Sequence, residues 1–225
     1  MYKHTRQFVD YCIQTLEFDK QISYDYQSLS ICIVDCVYSL RALYYDSTIP
    51  VVNRYAARYL GGNASAPTER VSDLIQHITE AGGPTPFAAN ILKNNQLSGR
   101  ILKAEVCLNL AKYLKYLHVE TMEDFKRFEF PELLETVIHS VKGMGDAGTN
   151  YLFMLAGDPN RCKPDVHIHH CIKDACGEDI SNDDCQLLFS EAVQELKRDY
   201  PYLTVAKLDG IIWRKYQGAK HKKSK

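Results

Sequence analysis

The stretch that decides the fold is Val137 to Cys171, VIHSVKGMGDAGTNYLFMLAGDPNRCKPDVHIHHC. It opens on the apolar end of a helix, Val137 and Ile138, turns through Lys142-Gly143-Met144-Gly145, and restarts as a helix at about Asp146. Glycine reaches positive φ without steric cost and lets a second backbone come close. The new helix directs N–H groups outward at its start, an end that attracts phosphate. Asp165 stands twenty residues past Gly145, within Lys163-Pro164-Asp165-Val166-His167, after a proline and before a further helical run. An aspartate there can cap the helix, which is worth roughly 1 kcal/mol, or serve chemistry. The residues by themselves leave both roles open.

Outward from this stretch nearly every segment reads as helix. Phe8, Val9, Cys12, Ile13 and Leu16 share one face of a 3.6-residue period. A polar break follows at Gln21 to Tyr26, and from about Ser28 to Tyr45 the run SLSICIVDCVYSLRALYY is apolar almost all round, as a buried helix requires. Pro50 suits a first helical turn, and the helix carrying Val51, Val52, Tyr55, Ala56 and Tyr59 stops at Gly61-Gly62. The next is expected from about Pro67 to Ala81, ending at Gly82-Gly83, and another opens at Thr85-Pro86. A longer one is expected over Gly99 to His118, with a restart at Thr121-Met122-Glu123-Asp124; Pro131 opens the helix that enters the hairpin. Beyond Asp165 a helix runs to about Cys176 and stops at Gly177. Ser181 with Asp184 makes a capping pair, and the last helix covers Thr204 to Gln217. No strand alternation, internal repeat or low-complexity segment stands out, so the expected class is all-α.

The chain has 225 residues, 45% of them apolar, enough for one domain or two small lobes. No run of about 18 apolar residues is present, and Met1-Tyr2-Lys3-His4 lacks the apolar stretch of a signal peptide. The expectation is a soluble intracellular protein without a membrane partner, its eight cysteines free thiols rather than a disulfide framework. Net charge is −1, which argues weakly against nucleic acid. From Pro201 onward, however, seven basic residues (Lys207, Arg214, Lys215, Lys220, Lys222, Lys223, Lys225) face one acid, Asp209, a balance of +6 that leaves −7 elsewhere.

The hairpin, the helix after it and the Asp-x-His-Ile that follows resemble the helix-hairpin-helix DNA glycosylases, the base-excision repair superfamily that includes endonuclease III and the adenine and alkylpurine glycosylases. The family pattern is roughly Leu-Pro-Gly-x-Gly-x-Lys-Thr-Ala, then Val-Asp-Thr-His-Ile. Laid on this chain without a gap, it puts the hairpin glycines on Gly143 and Gly145, the catalytic aspartate on Asp165 and the histidine on His167. A Leu208-Asp209-x-x-x-Trp213 helix of similar type ends many members. The resemblance touches residues 28 to 217 and is strong only between 137 and 170.

It implies a helical barrel over residues 28–155 bearing the helix-hairpin-helix (about 131–156), and a second lobe from 1–27 with 156–225, double-stranded DNA lying between lobes. Asp165 would then stabilise positive charge on the sugar as the C1′–N bond breaks, and would orient the attacking water. Lys142, Gly143, Met144, Gly145, Asp146, Ala147 and His167 would contact DNA, chiefly through backbone N–H groups on phosphate. The damaged base must leave the stack; Arg41, Tyr38, Tyr44 and Tyr45 are the candidates for pocket and wedge. Ala147 occupies the position of the Schiff-base lysine of bifunctional members, and an alanine supplies no amine nucleophile. Base removal by water, without strand nicking, is therefore expected.

No cysteine follows Cys185, so no iron–sulfur cluster is expected. The resemblance does leave room for a monovalent cation at the hairpin. His167, His169, His170, Cys162, Cys171, Cys176 and Cys185 offer a single near match to zinc spacing, Cys171-x₄-Cys176, and no metal site is expected. The implied protein is a monomer of the cytoplasm or nucleoid. Two other readings stand beside it: a catalytically silent helix-hairpin-helix DNA-binding protein, and a helical protein-interaction module in which Gly143-x-Gly145 is a mere turn.

Overall fold

A computed structural model describes residues 2–18, 26–66 and 69–222, with side chains as far as 217. The expected helix start at Pro67, the break from Gln21 to residue 25, and the side chains of Lys220, Lys222, Lys223 and Lys225 lie outside the described residues. Among the described residues the chain is all-α apart from one two-stranded ribbon, and it divides into two compact units, Asp25–Gly157 and Met1–Tyr24 with Asp158–Lys225. Among the described residues no helix is long and apolar enough to cross a membrane.

The Asp25–Gly157 unit is built around α2, Leu29–Ser39, whose eleven residues are all buried. Packed on it are α3 (Ile49–Tyr59), α4 (Val71–Glu80), α6 (Lys103–Tyr116) and α9 (Gly145–Leu155). The unit also holds α5 (Pro84–Pro86), continued by a π-helical turn over Phe87–Leu92, with α7 (Met122–Lys126) and α8 (Pro131–Ser140), and β1 (Leu97–Ser98) pairs antiparallel with β2 (Ile101–Leu102). A carboxylate inside so apolar a helix needs hydrogen bonds to offset its desolvation. Asp35 receives them from the hydroxyls of Tyr26 and Tyr44, both 2.7 Å from Oδ2, and of Tyr151, 3.1 Å from Oδ1.

Three expected boundaries are corrected. Helix α2 stops at Ser39 rather than running to Tyr45. The buried Lys103 ammonium takes the carbonyls of Tyr38 (2.9 Å) and Leu40 (2.7 Å), Arg41 turns left-handed (φ 51°), and Tyr44–Thr48 forms a separate π-helical turn. Helix α6 begins at Lys103 rather than Gly99, because Gly99 (φ 63°) turns the ribbon, whose strands of two residues are too short to alternate. Helix α5 is capped at Gly83 (φ 104°), with Pro84 as its first residue, not at Thr85.

The other unit packs α1 (Thr5–Thr15), α10 (Val166–Cys176), α11 (Asn182–Leu196) and α12 (Val205–Lys222) around one apolar core. Phe8, Val9 and Cys12 face that core as expected, whereas Ile13 is 49% exposed. The expected caps are present: Ser181 Oγ accepts from Asp184 N at 3.1 Å, and Gly177 ends α10 at φ 78°. All eight cysteines are free and buried. Burial holds Cys162 well above the ordinary thiol range and pushes Cys171 and Cys185 up to about 12, so these sulfurs are thiols and poor nucleophiles.

Candidate functional site

The hairpin forms where the glycines place it. Helix α8 ends at Ser140, Gly143 takes φ 102° and Gly145 φ 61°, and α9 starts at Gly145. Gly143 is confined as well as twisted. A Cβ there would stand 2.9 Å from Val106 Cγ2 and 3.3 Å from Ser98 Cβ, while the Ser98 hydroxyl donates to the Gly143 carbonyl at 2.6 Å. Ribbon and α6 thus form a seat for the hairpin backbone, one that the sequence reading did not identify. Met144, at the cap position of α9, gives no side-chain hydrogen bond to the helix and is itself buried. Its side chain therefore belongs to the core, and only its backbone faces the turn. Lys142 and Asp146 are exposed and Ala147 is half-buried. His139, on the last turn of α8, reaches Asp146 Oδ1 through Nε2 at 2.9 Å, a pairing across the hairpin that the sequence did not suggest.

The candidates from the end of α2 are dispersed. Tyr38 is fully buried, its hydroxyl 3.4 Å from the Asn94 carbonyl and the Lys103 ammonium 5.8 Å from its ring centre, so it presents no surface as a wedge. Tyr44 is half-buried and engaged by Asp35. Arg41 and Tyr45 are exposed, and between them lies Leu43, 67% exposed, which the sequence analysis passed over. Only its place in a loop between two helices could have marked it.

Asp165 belongs to the other unit. It caps α10, its Oδ1 accepting from His167 N at 2.8 Å and Ile168 N at 3.3 Å. Among the described residues its Oδ2 receives no hydrogen bond, and the side chain is half-buried. His167 sets its ring edge-on to Trp213 of α12, centres 6.2 Å apart. Beneath this turn lies Asp209 of α12, 4% exposed, its Oδ2 accepting from Lys163 N at 2.8 Å. Burial, then the charge of Asp165, pushes the Asp209 carboxyl well above the usual carboxylate range. Among the described residues no group of three or more His, Cys, Asp or Glu stands where it could hold a metal ion.

A half-exposed carboxylate anchored by two amides at one oxygen can stabilise adjacent positive charge or orient water. A glycine turn into a helix start can take a phosphate. Residues 6–217 match the family described as Domain of unknown function (DUF8548), and the chain belongs to that family. No curated protein and no solved structure matches it.

Proposed function

We propose that the chain is a monofunctional DNA N-glycosylase of the helix-hairpin-helix type, with Asp165 as the catalytic carboxylate. The observation that carries the reading is the anchoring of Asp165. Two backbone amides hold Oδ1, which fixes the carboxylate on a half-buried side chain. Such a group, close to C1′ of a flipped nucleotide, stabilises the positive sugar that develops as the base departs, and it orients the water that replaces the base. The hairpin backbone from Gly143 to Ala147 grips a phosphate, which fixes position on the strand without reading sequence. A monovalent cation at the hairpin is compatible with that grip. Lys142 adds charge, and Arg41, Leu43 and Tyr45, exposed on the α2–α3 connection, fill the gap left by the base. Ala147 leaves the lyase step without an amine, so the product is an abasic site. With a net charge of −1 the affinity rests on few phosphate contacts, and salt weakens it shallowly, by a slope of about 0.9 per contact.

The test uses duplex oligonucleotides, each with one lesion (uracil, hypoxanthine, an alkylated purine, 8-oxoguanine, or adenine opposite 8-oxoguanine). Strands are scored with and without alkali for wild type and Asp165→Asn. Breaks that appear only after alkali and fall at least about 10³-fold in the variant, with duplex binding kept, are the expected result. Breaks without alkali would overturn the monofunctional assignment. Binding without product on any lesion would favour the silent DNA-binding alternative.

A further inference from the structure

The segment 158–165 that leads into α10 has no regular structure, yet Cys162, Lys163 and Pro164 within it are buried. Its polar groups must therefore find partners in neighbouring elements. Helix α11 supplies two through one side chain: Gln186 Oε1 accepts from Cys162 N at 3.0 Å, and Gln186 Nε2 donates to the Asn160 carbonyl at 2.6 Å. Helix α12 supplies two more, since Ala206 N donates to the Pro159 carbonyl at 3.1 Å and Asp209 Oδ2 accepts from Lys163 N at 2.8 Å. The Lys163 carbonyl in turn accepts from Asp165 N at 2.6 Å. A short chain of contacts thus runs from α12 through the backbone of Lys163 to the residue whose carboxylate caps α10.

We propose that Asp209 is the positioning residue of Asp165: enclosed in the core of its unit, it fastens the backbone of Lys163 and so fixes where the Asp165 carboxylate stands. This deepens the proposed function and rests on the reading of Asp165 as the catalytic carboxylate. Burying a carboxyl is costly, and a hydrophobic residue at 209 would pack as well, but it would leave the Lys163 N–H without an acceptor. The ionisable and charged groups felt at Asp209 are Asp165, the Lys163 side chain and the Cys162 thiol. Burial, and after it the charge of Asp165, raise the Asp209 carboxyl above the usual carboxylate range, and the contact with Lys163 N asks of residue 209 only an acceptor oxygen. Oδ2 receives the amide, as the oxygen of an asparagine would.

That equivalence supplies the test, made on the full chain with Asp209→Asn and Asp209→Ser. Asparagine keeps the acceptor; serine is too short to reach it. Amide hydrogen exchange is read at Lys163, at His167 and Ile168, whose N–H groups hold Asp165, and at Ile172 and Ala175 deeper in α10. In wild type and Asp209→Asn the first three are protected. In Asp209→Ser they exchange at least tenfold faster, while Ile172 and Ala175 are unchanged. On the lesion cleaved by wild type, Asp209→Ser loses about 100-fold in kcat with KM within twofold, the cost of a carboxylate displaced by about 1 Å, and Asp209→Asn recovers most of it. Unprotected Lys163 in wild type, unchanged exchange in Asp209→Ser, or failure of asparagine to rescue would overturn the proposal, as would a uniform rise of exchange along α10. The exchange arm needs no turnover. If wild type removes no base, the glycosylase reading fails on its own and the exchange arm still decides whether Asp209 positions Asp165.

Discussion

Asp165 and Asp209 belong to the same corner of one unit but differ in what surrounds them. Asp165 is half-buried and holds two amides; Asp209 is 4% exposed and holds one. The folded chain therefore keeps a proton on Asp209 at pH values where the unfolded chain, with an ordinary carboxylate of about 3.9, has released it. The sign follows from linkage. A group whose folded pKa is raised contributes stability that is fully present below the unfolded value and is lost as pH rises through the folded one. Other carboxylates act the opposite way, because Asp124, Glu178, Asp179 and Glu191 are held below their ordinary values by hydrogen bonds or neighbouring cations. The useful quantity is thus the difference between wild type and Asp209→Asn in urea melts across pH. Wild type should lose stability relative to the variant as pH rises from about 4, and the loss should shrink in an Asp165→Asn background, where the neighbouring charge is gone. A pH-independent difference would mean that Asp209 is not protonated in the folded chain.

Between single residues and the whole chain lie the elements, and here the hairpin is the sensitive one. Gly143→Ala places a methyl 2.9 Å from Val106 Cγ2 in a backbone at φ 102°, so either the hairpin shifts or α6 gives way. A cost of about 1–3 kcal/mol is expected from overpacking and strain. Gly145→Ala meets no atom within 4 Å and carries only the strain of φ 61°, so its denaturant midpoint should fall less. Under the proposed function Gly143→Ala should also weaken duplex binding more than Gly145→Ala does. Equal midpoints for the two would show that the seat made by Ser98 and Val106 does not confine the turn. That seat marks the limit of what could be read from sequence. The glycine pair announced the turn and Pro164-Asp165 announced the helix start, because both act through backbone conformation within a few residues. The ends of α2 and α6 were not legible, since they are set by Lys103 reaching carbonyls 63 and 65 residues away and by a ribbon too short to alternate. Nothing in the residues around Lys103 marks it as buried. Asp209 sat in a familiar motif without a role, because its partner is a backbone amide 46 residues earlier.

At the scale of the molecule, the two units differ in how the chain builds them. Asp25–Gly157 is contiguous, whereas the unit bearing Asp165 needs Met1–Tyr24 as well as Asp158–Lys225. Helix α1 is a structural part of that second unit: Phe8 is fully buried with its ring 5.3 Å from Phe189, and Thr5 Oγ1 and Tyr2 N both donate to Glu191 Oε2 at 2.6 Å. Removing α1 takes away Phe8, Val9 and Cys12 and uncovers the apolar faces of α10 and α11 against which they pack. Burial of even two such side chains is worth about 3–6 kcal/mol, comparable with the whole stability of a small unit. Fragment 158–225 should therefore lack a cooperative urea transition by circular dichroism and bind a hydrophobic dye, and adding a peptide of residues 1–18 should restore the transition and release the dye. Fragment 25–157 should fold alone. Were 158–225 to fold cooperatively without the peptide, α1 would be dispensable packing. If the peptide is required, the geometry at Asp165 depends on residues more than 140 positions away, and deletion of residues 1–18 from the full chain should abolish activity with the residues from 158 onward intact in sequence.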